Sequence, residues 1–340
     1  MTDTIRRTNR RGFLTAAGGL AGILAAGRTP AFAESVAPKK LIFAHINPPP
    51  ESAAVAFDWM AQEAGKRSGG ALEIEFYGST LLTKELEIMN AVKAGNVAIG
   101  DPAGAAATIF PEMGVFLVPY LVRSYDQAYR LFNGKVGDGL DRQFQERYGV
   151  KVLCFFDFGY RHFWNSKRPI VEPKDLRGTK LRVQLAKVFA DTVNGLGGNA
   201  VPMPWAEVIP AAQSGVIDGG DLPIVNILAL KAYEVSKYCS MTYHNYGPTV
   251  TVINLGVWND LDKEHQTLLL DLSREAQAII RRDTESVDNF QKAKELLEPK
   301  GMIVNEADVG AFRKLAEEKI WPAYQKQYAE LWEEIVKTEA

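Results

Sequence analysis

Two arginines stand where a positive charge has no ordinary place. Arg182 lies between Leu181 and Val183 in a very short apolar strand, and Arg161 follows the strand-like run Lys151 to Phe158, which Gly159 interrupts. A guanidinium flanked by apolar groups needs a carboxylate partner or an open cleft, because its charge is not buried alone. Its planar fork grips a carboxylate through two parallel hydrogen bonds, which the ammonium of a lysine does not match. The chemistry these positions suggest is capture of a small organic acid. Lys174, Lys180, Lys187 and Arg177 read instead as solvated charges.

Enzyme signatures do not compete with that reading. The chain carries no Gly-x-Ser-x-Gly, His-Glu-x-x-His, P-loop or dinucleotide glycine pattern. Its four histidines, His45, His162, His244 and His265, are widely spread with no metal-ligand spacing. No cofactor, metal or catalytic residue is expected.

Composition narrows the setting. Residues 6 to 27 join two arginine pairs to a short Ala/Gly/Leu/Ile run, and Ala31-Phe32-Ala33 follows as a small-residue cleavage site, together forming an export signal over 1–33. Arg10-Arg11-Gly12-Phe13-Leu14 resembles the bacterial twin-arginine signal, so a periplasmic destination is expected. The formal charge of the whole chain is −2, and the signal carries five arginines against Asp3, so the 307 residues beyond it carry −6. That balance argues against nucleic acid as a partner. No mature segment approaches a transmembrane span. Cys154 and Cys239 either pair or stay as buried thiols; their spacing does not decide.

Strands and helices alternate along the chain. Lys39 to His45 reads as a strand, Ala53 to Arg67 as a helix, Leu72 to Tyr77 as a strand, Lys84 to Ala94 as a helix and Val97 to Gly100 as a strand. The alternation restarts near residue 160 through Lys180–Val183, Phe189–Leu196, Ala200–Met203 and a helix from Trp205 to Gly215 irregular at Pro210. This is an α/β chain of two lobes with largely parallel sheet. A helical stripe from Asp262 to Leu297, interrupted at Asp283, predicts one long helix or two nearly continuous ones across both lobes. The predicted division is 38–158 plus 247–287 for one domain and 159–246 plus 288–340 for the other, with a ligand cleft between them.

Three segments, Leu176-Arg177-Gly178-Thr179-Lys180-Leu181-Arg182-Val183, Pro202-Met203-Pro204-Trp205-Ala206-Glu207-Val208 and Ala212-Gln213-Ser214-Gly215-Val216-Ile217-Asp218-Gly219, resemble the DctP-type substrate-binding proteins of tripartite ATP-independent periplasmic (TRAP) transporters. Gly159-Tyr160-Arg161-His162-Phe163, Asn165 to Ile170, Glu85 to Gly95 and Phe116 to Tyr120 fit the same pattern, so the resemblance spans nearly all of the mature chain. It implies a two-lobed periplasmic binding-protein fold, a salt bridge from Arg182 to the ligand carboxylate, a second contact from Arg161, and delivery of the ligand to a separate membrane permease. Members with a Glu-Trp pair in this region bind metal; this chain lacks the pair.

One departure bears on the substrate. Sialic-acid and C4-dicarboxylate members carry Gln-Glu-Asn-Pro after the Asp-Gly, whereas this chain has Gly220-Asp221-Leu222-Pro223. Asp221 either accepts hydrogen bonds from ligand hydroxyls or serves as a turn residue before Pro223, and Asn226 is placed to supply the polar contact that Leu222 does not. Further pocket candidates are His45 and Asn47 at the end of the first strand, Glu85 at a helix start, Phe158 and Phe163 as apolar walls beside Arg161, and Tyr243, His244 and Tyr246. Trp205 either packs between helix and sheet or lines the pocket. The expected protein is a monomeric receptor for a hydroxylated monocarboxylate such as an aldonate, uronate or short hydroxy acid, with a C4-dicarboxylate or an exported hydrolase or lyase as rivals.

Overall fold

The computed structural model describes residues 39–339; the expected export signal and its cleavage site lie outside the described residues. One nine-stranded sheet organises the chain. Its strands are β1 (Lys39–His45), β2 (Leu72–Gly78), β3 (Ile99–Gly100), β4 (Val150–Asn165), β5 (Lys180–Val183), β6 (Asn199–Pro202), β7 (Gly219–Leu222), β8 (Tyr238–Asn254) and β9 (Ile303–Glu306). They run in the order β2-β1-β3-β8-β4-β7-β5-β6, with β9 beside β8. At one end β1 pairs in parallel with β2 and β3, and at the other β5 pairs in parallel with β6 and β7. Between them β4 and β8 run antiparallel along their length. The expected two-lobed α/β architecture is therefore present, with the two parallel groups joined through one long antiparallel pair.

The strands β4 and β8 hold 16 and 17 residues and are almost wholly buried. Such runs need covering on both faces, and helices supply it. Helix α1 (Ser52–Arg67) buries Ala53, Phe57, Met60 and Ala64 and lies against a long helix, Lys263–Val287, which also packs on β4. There Gln277 Nε2 donates to the Phe155 carbonyl at 2.6 Å.

Two expectations change, and the stripe from Asp262 to Leu297 takes the second of its two expected forms, two nearly continuous helices. Gly159 does not interrupt its strand: it takes φ +91, the pairing with β8 slips between Asp157 and Tyr160, and β4 continues to Asn165. A left-handed φ at glycine costs little, so the strand bends instead of ending. Arg161 consequently lies inside the strand, opposite Asn245. The long helix runs through Asp283 and breaks at Asp288, whose side chain turns inward to accept from Tyr125 Oη (2.5 Å), Tyr160 N (2.8 Å) and His162 Nε2 (2.8 Å). Asn289 then caps the next helix, Phe290–Leu297. Pro210 falls in the first turn of Val208–Gln213, behind a short 3-10 turn Trp205–Glu207, so two pieces replace the expected single helix. Cys154 and Cys239 are both buried free thiols.

Candidate functional site

Strand β5 carries Arg182 into the interior. Its neighbours there are Gly220 of β7 and Val201 of β6, and a Cβ at Gly220 would meet the Arg182 carbonyl and the Trp164 ring at 3.0 Å. Glycine at 220 thus admits the close approach of the strand that bears the arginine. Arg182 is only 2% exposed, yet holds no carboxylate among the described residues. Nε and Nη2 donate to the Met203 carbonyl at 3.1 and 3.0 Å, the guanidinium stands 5.9 Å from the Trp205 ring, and Nη1 is buried without a partner. Burial, and then the like charge of Arg161, push its pKa down to about 10 against the pull of Asp221 and Glu85.

Arg161 is as buried, at 3%, but neutralised. Its Nε and Nη2 donate to the two carboxylate oxygens of Asp221 at 2.6 and 3.0 Å, Nη2 also bonds the Asp221 carbonyl, and the guanidinium lies 4.8 Å over the Phe189 ring. Asp221 is 1% exposed within β7, so it is not a turn residue. Burial alone would raise its pKa; the Arg161 charge and the hydrogen bonds from His244 and Arg161 hold it well below the usual carboxylate range. His244 completes the cluster, with Nε2 3.4 Å from Asp221 and Nδ1 2.8 Å from Thr242 Oγ1, stacked at 4.1 Å on Phe163. Burial pushes the imidazole down to about 4. The neutral ring therefore donates from Nε2 to Asp221 and accepts at Nδ1 from Thr242.

Two cavities adjoin beside Arg182, sharing Glu85, Gly104 and Gln184, whereas Arg161, Asp221 and His244 line neither. The smaller is lined by Ile46, Asn47, Glu85, Ala103, Gly104, Phe158, Gln184, Trp205, Leu222 and Asn226. The larger includes Arg182, Met203, Glu85, Gly104, Gln184, Leu86 and Leu185. Glu85 opens helix α2 (Glu85–Lys93), and burial pushes its carboxyl up against the lowering influence of its own helix-end amide and of Arg182.

Residues 43–331 match the family described as bacterial extracellular solute-binding protein, family 7, named DctP. The chain belongs to that family. It is 31% identical over 226 residues to the 2,3-diketo-L-gulonate-binding periplasmic protein of Escherichia coli K12, covering 66% of this chain and 67% of the relative. It superposes with TM-score 0.82 and 26% identity on a TRAP periplasmic solute-binding protein from Polaromonas sp. JS666 bound to D-erythronate, covering 88% of this chain and 99% of that one. A TRAP periplasmic solute-binding protein from Citrobacter koseri with bound D-glucuronate gives TM-score 0.80 and 26% identity, over 88% of this chain and 100% of that one. The chain is a periplasmic solute receptor of the TRAP class, as expected.

In this receptor the fold gathers Arg182, Glu85, Asn47, Phe158, Trp205 and Asn226 around the paired cavities. Trp205 does both things weighed for it, packing half-buried on the core and lining the smaller cavity. Arg161, Asp221 and His244 form the buried cluster just described. Phe163 is fully buried on His244, and Tyr246 is buried with its hydroxyl on Asp157 at 2.7 Å. Tyr243 is half-buried, its ring 4.5 Å from His162. Gln184, Gly104 and the Met203 carbonyl were missed by sequence reasoning. Gln184 had a signal, since residues i and i+2 of an extended chain face one side and Arg182 marks that side; the carbonyl had none.

His45 is sealed, with Nδ1 2.6 Å from Asp101 and Nε2 3.1 Å from Glu51, whose carboxylate also caps α1. Burial lowers its pKa, but the two carboxylates override this and raise it to about 10. A histidine raised in the folded state stabilises fully below its unfolded value of 6.5 and loses that contribution as pH climbs towards 10. Urea unfolding between pH 6 and 10 is expected to show stability falling by the order of a few kcal/mol, with the slope reduced in His45→Gln. Parallel slopes in the two proteins would exclude this role.

Proposed function

We propose that this receptor captures a hydroxylated monocarboxylate, of the aldonate, uronate or short hydroxy-acid kind, and hands it to a TRAP membrane permease. The observation that carries the reading is Arg182, a buried guanidinium at the cavity wall with no carboxylate of its own and Nη1 unpartnered. Met203 occupies the Nε edge, which leaves the terminal nitrogens to grip an incoming carboxylate. Only one such full positive charge faces the ligand, because Asp221 already neutralises Arg161. The Arg161–Asp221 pair uses Nε and Nη2, so Nη1 of Arg161 remains for the second polar contact. Glu85 disfavours a second ligand carboxylate and, with Asn47 and Asn226, suits hydroxyls. The sugar acids bound by the relatives named above support the same class.

The lobes divide at residues 158/159, 246/247 and 287/288 in this reading. The bend at Gly159 and the helix break at Asp288 support it, since Asp288 ties Tyr125, Tyr160 and His162 together at that level. The receptor acts as a monomer and does not turn its ligand over.

Calorimetric titration with D-erythronate, D-glucuronate and succinate tests the substrate class. The two hydroxylated monocarboxylates are expected to bind at least about ten-fold more tightly than succinate, a difference of about 1.4 kcal/mol. Tighter binding of succinate would replace this reading with the C4-dicarboxylate one. Mass spectrometry of the recovered acid after long incubation, if it showed a changed mass, would replace transport with catalysis.

A further inference from the structure

Gln184 is a polar group of the cleft that the reading above leaves without work. It stands two residues after Arg182, and extended backbone turns i and i+2 to one side, so both side chains line the larger cavity. Gln184 also lines the smaller cavity and therefore sits at the junction of the two. Its Oε1 is buried with no hydrogen-bond partner. A buried acceptor is costly when unmatched, and a carbonyl oxygen is matched only by a donor.

The opposite wall leaves the amide its space. Gly104 lies in the turn Ala103–Ala105 that follows β3, and a Cβ there would fall 1.9 Å from Gln184 Nε2 and 2.3 Å from its Cδ. Only a residue without a side chain leaves room for the amide at this place. The β3 side and the β5 side of the cleft thus come close together here, beside the guanidinium that lacks a counter-ion.

We propose that Gln184 reads the hydroxyl nearest the ligand's carboxylate: Oε1 accepts that hydroxyl's hydrogen bond while Arg182 grips the acid, and Gly104 positions the amide. The inference rests on the hydroxy-acid reading and sharpens it to acids hydroxylated on the carbon next to the carboxylate: aldonates, short hydroxy acids and uronates in their open-chain form, since the ring form carries an ether oxygen at that carbon. A methylene at that carbon offers Oε1 nothing, and a ketone offers a second acceptor, so both are discriminated against. Glu85 and the two asparagines are left to read the rest of the chain.

The test compares D-erythronate and D-gluconate with their 2-deoxy analogues, by calorimetry, on wild type, Gln184→Leu and Gly104→Ala. Wild type is expected to prefer each hydroxy acid by about ten- to a hundred-fold. Gln184→Leu is expected to bring each pair within about three-fold of one another by weakening the hydroxy acid alone, with the 2-deoxy acid bound as before. Gly104→Ala keeps the amide but displaces it, and is expected to lose the same selectivity. A preference that survives Gln184→Leu, or a loss shared equally by the hydroxy and 2-deoxy acids, overturns the assignment of Gln184. Wild type that binds neither acid of either pair instead removes the hydroxy-acid reading, and this inference with it.

Discussion

Arg182→Ala is expected to weaken binding of the carboxylate ligand by about thirty-fold to a few thousand-fold while leaving the unliganded fold at least as stable. Truncating one partner of a buried, hydrogen-bonded charge pair costs about 2–5 kcal/mol, and each 1.4 kcal/mol is ten-fold in affinity. The unliganded protein responds differently because Arg182 has no carboxylate there, only the Met203 carbonyl. Removing its charge relieves a desolvation penalty that lowers its pKa to about 10. Against that gain stands the loss of the bonds to Met203, about 1 kcal/mol. Arg182→Lys keeps the charge without the fork and is expected to fall between wild type and alanine. Titration calorimetry and urea unfolding of the unliganded proteins check the two halves. An Arg182→Ala protein that binds normally, or one that unfolds readily without ligand, would show a structural arginine instead of a clamp.

The opposite pattern is expected at Asp221. Asp221→Ala leaves Arg161 buried and unpaired, and breaking a buried pair from one side costs about 3–5 kcal/mol. Urea unfolding of the unliganded protein is expected to show that loss directly. The double variant Arg161→Met/Asp221→Leu, which removes both charges, is expected to recover most of it, because a buried ion pair is seldom better than apolar groups of like volume. No recovery in the double variant would mean that packing around β7, and not the charge, sets the cost. The pH dependence carries a matching sign. Asp221 is depressed in the folded state, so its contribution is present above the unfolded value of 3.8 and fades as the medium becomes more acid than that. His244, lowered to about 4 by burial, stabilises above 6.5 and loses its contribution between 6.5 and 4. An acid limb beginning near pH 6 in wild type and displaced to lower pH in His244→Gln is the expected outcome.

The two arginines were equally visible in the sequence and end in different electrostatic states. Arg182 was legible because a charge between Leu181 and Val183 in so short a strand has few solutions. Asp221 was legible as a carboxylate near the pocket, but its partner was not, because β4 and β7 meet only through sheet pairing sixty residues apart. Gly159 marked a disturbance correctly and its nature wrongly. A glycine interrupting an apolar run ends a strand or bends it, and pairing with β8 on both sides of the bend selects the second. The long helix shows the same limit: Asp283 and Asp288 are alike locally, and only Tyr125, Tyr160 and His162 make Asp288 the one that turns inward.

By itself the sequence determined the alternation of strand and helix, the family, and the short strand that carries a guanidinium into the interior, all set by neighbours along the chain. Tertiary structure alone decided which arginine is neutralised, which oxygen holds the other, and that the amide two residues on from Arg182 is left without a partner. Those outcomes depend on groups brought together from β4, β5, β7 and the turn after β3. Buried charge and hydrogen bonding act through space over a few ångströms, and no spacing along the chain encodes that distance.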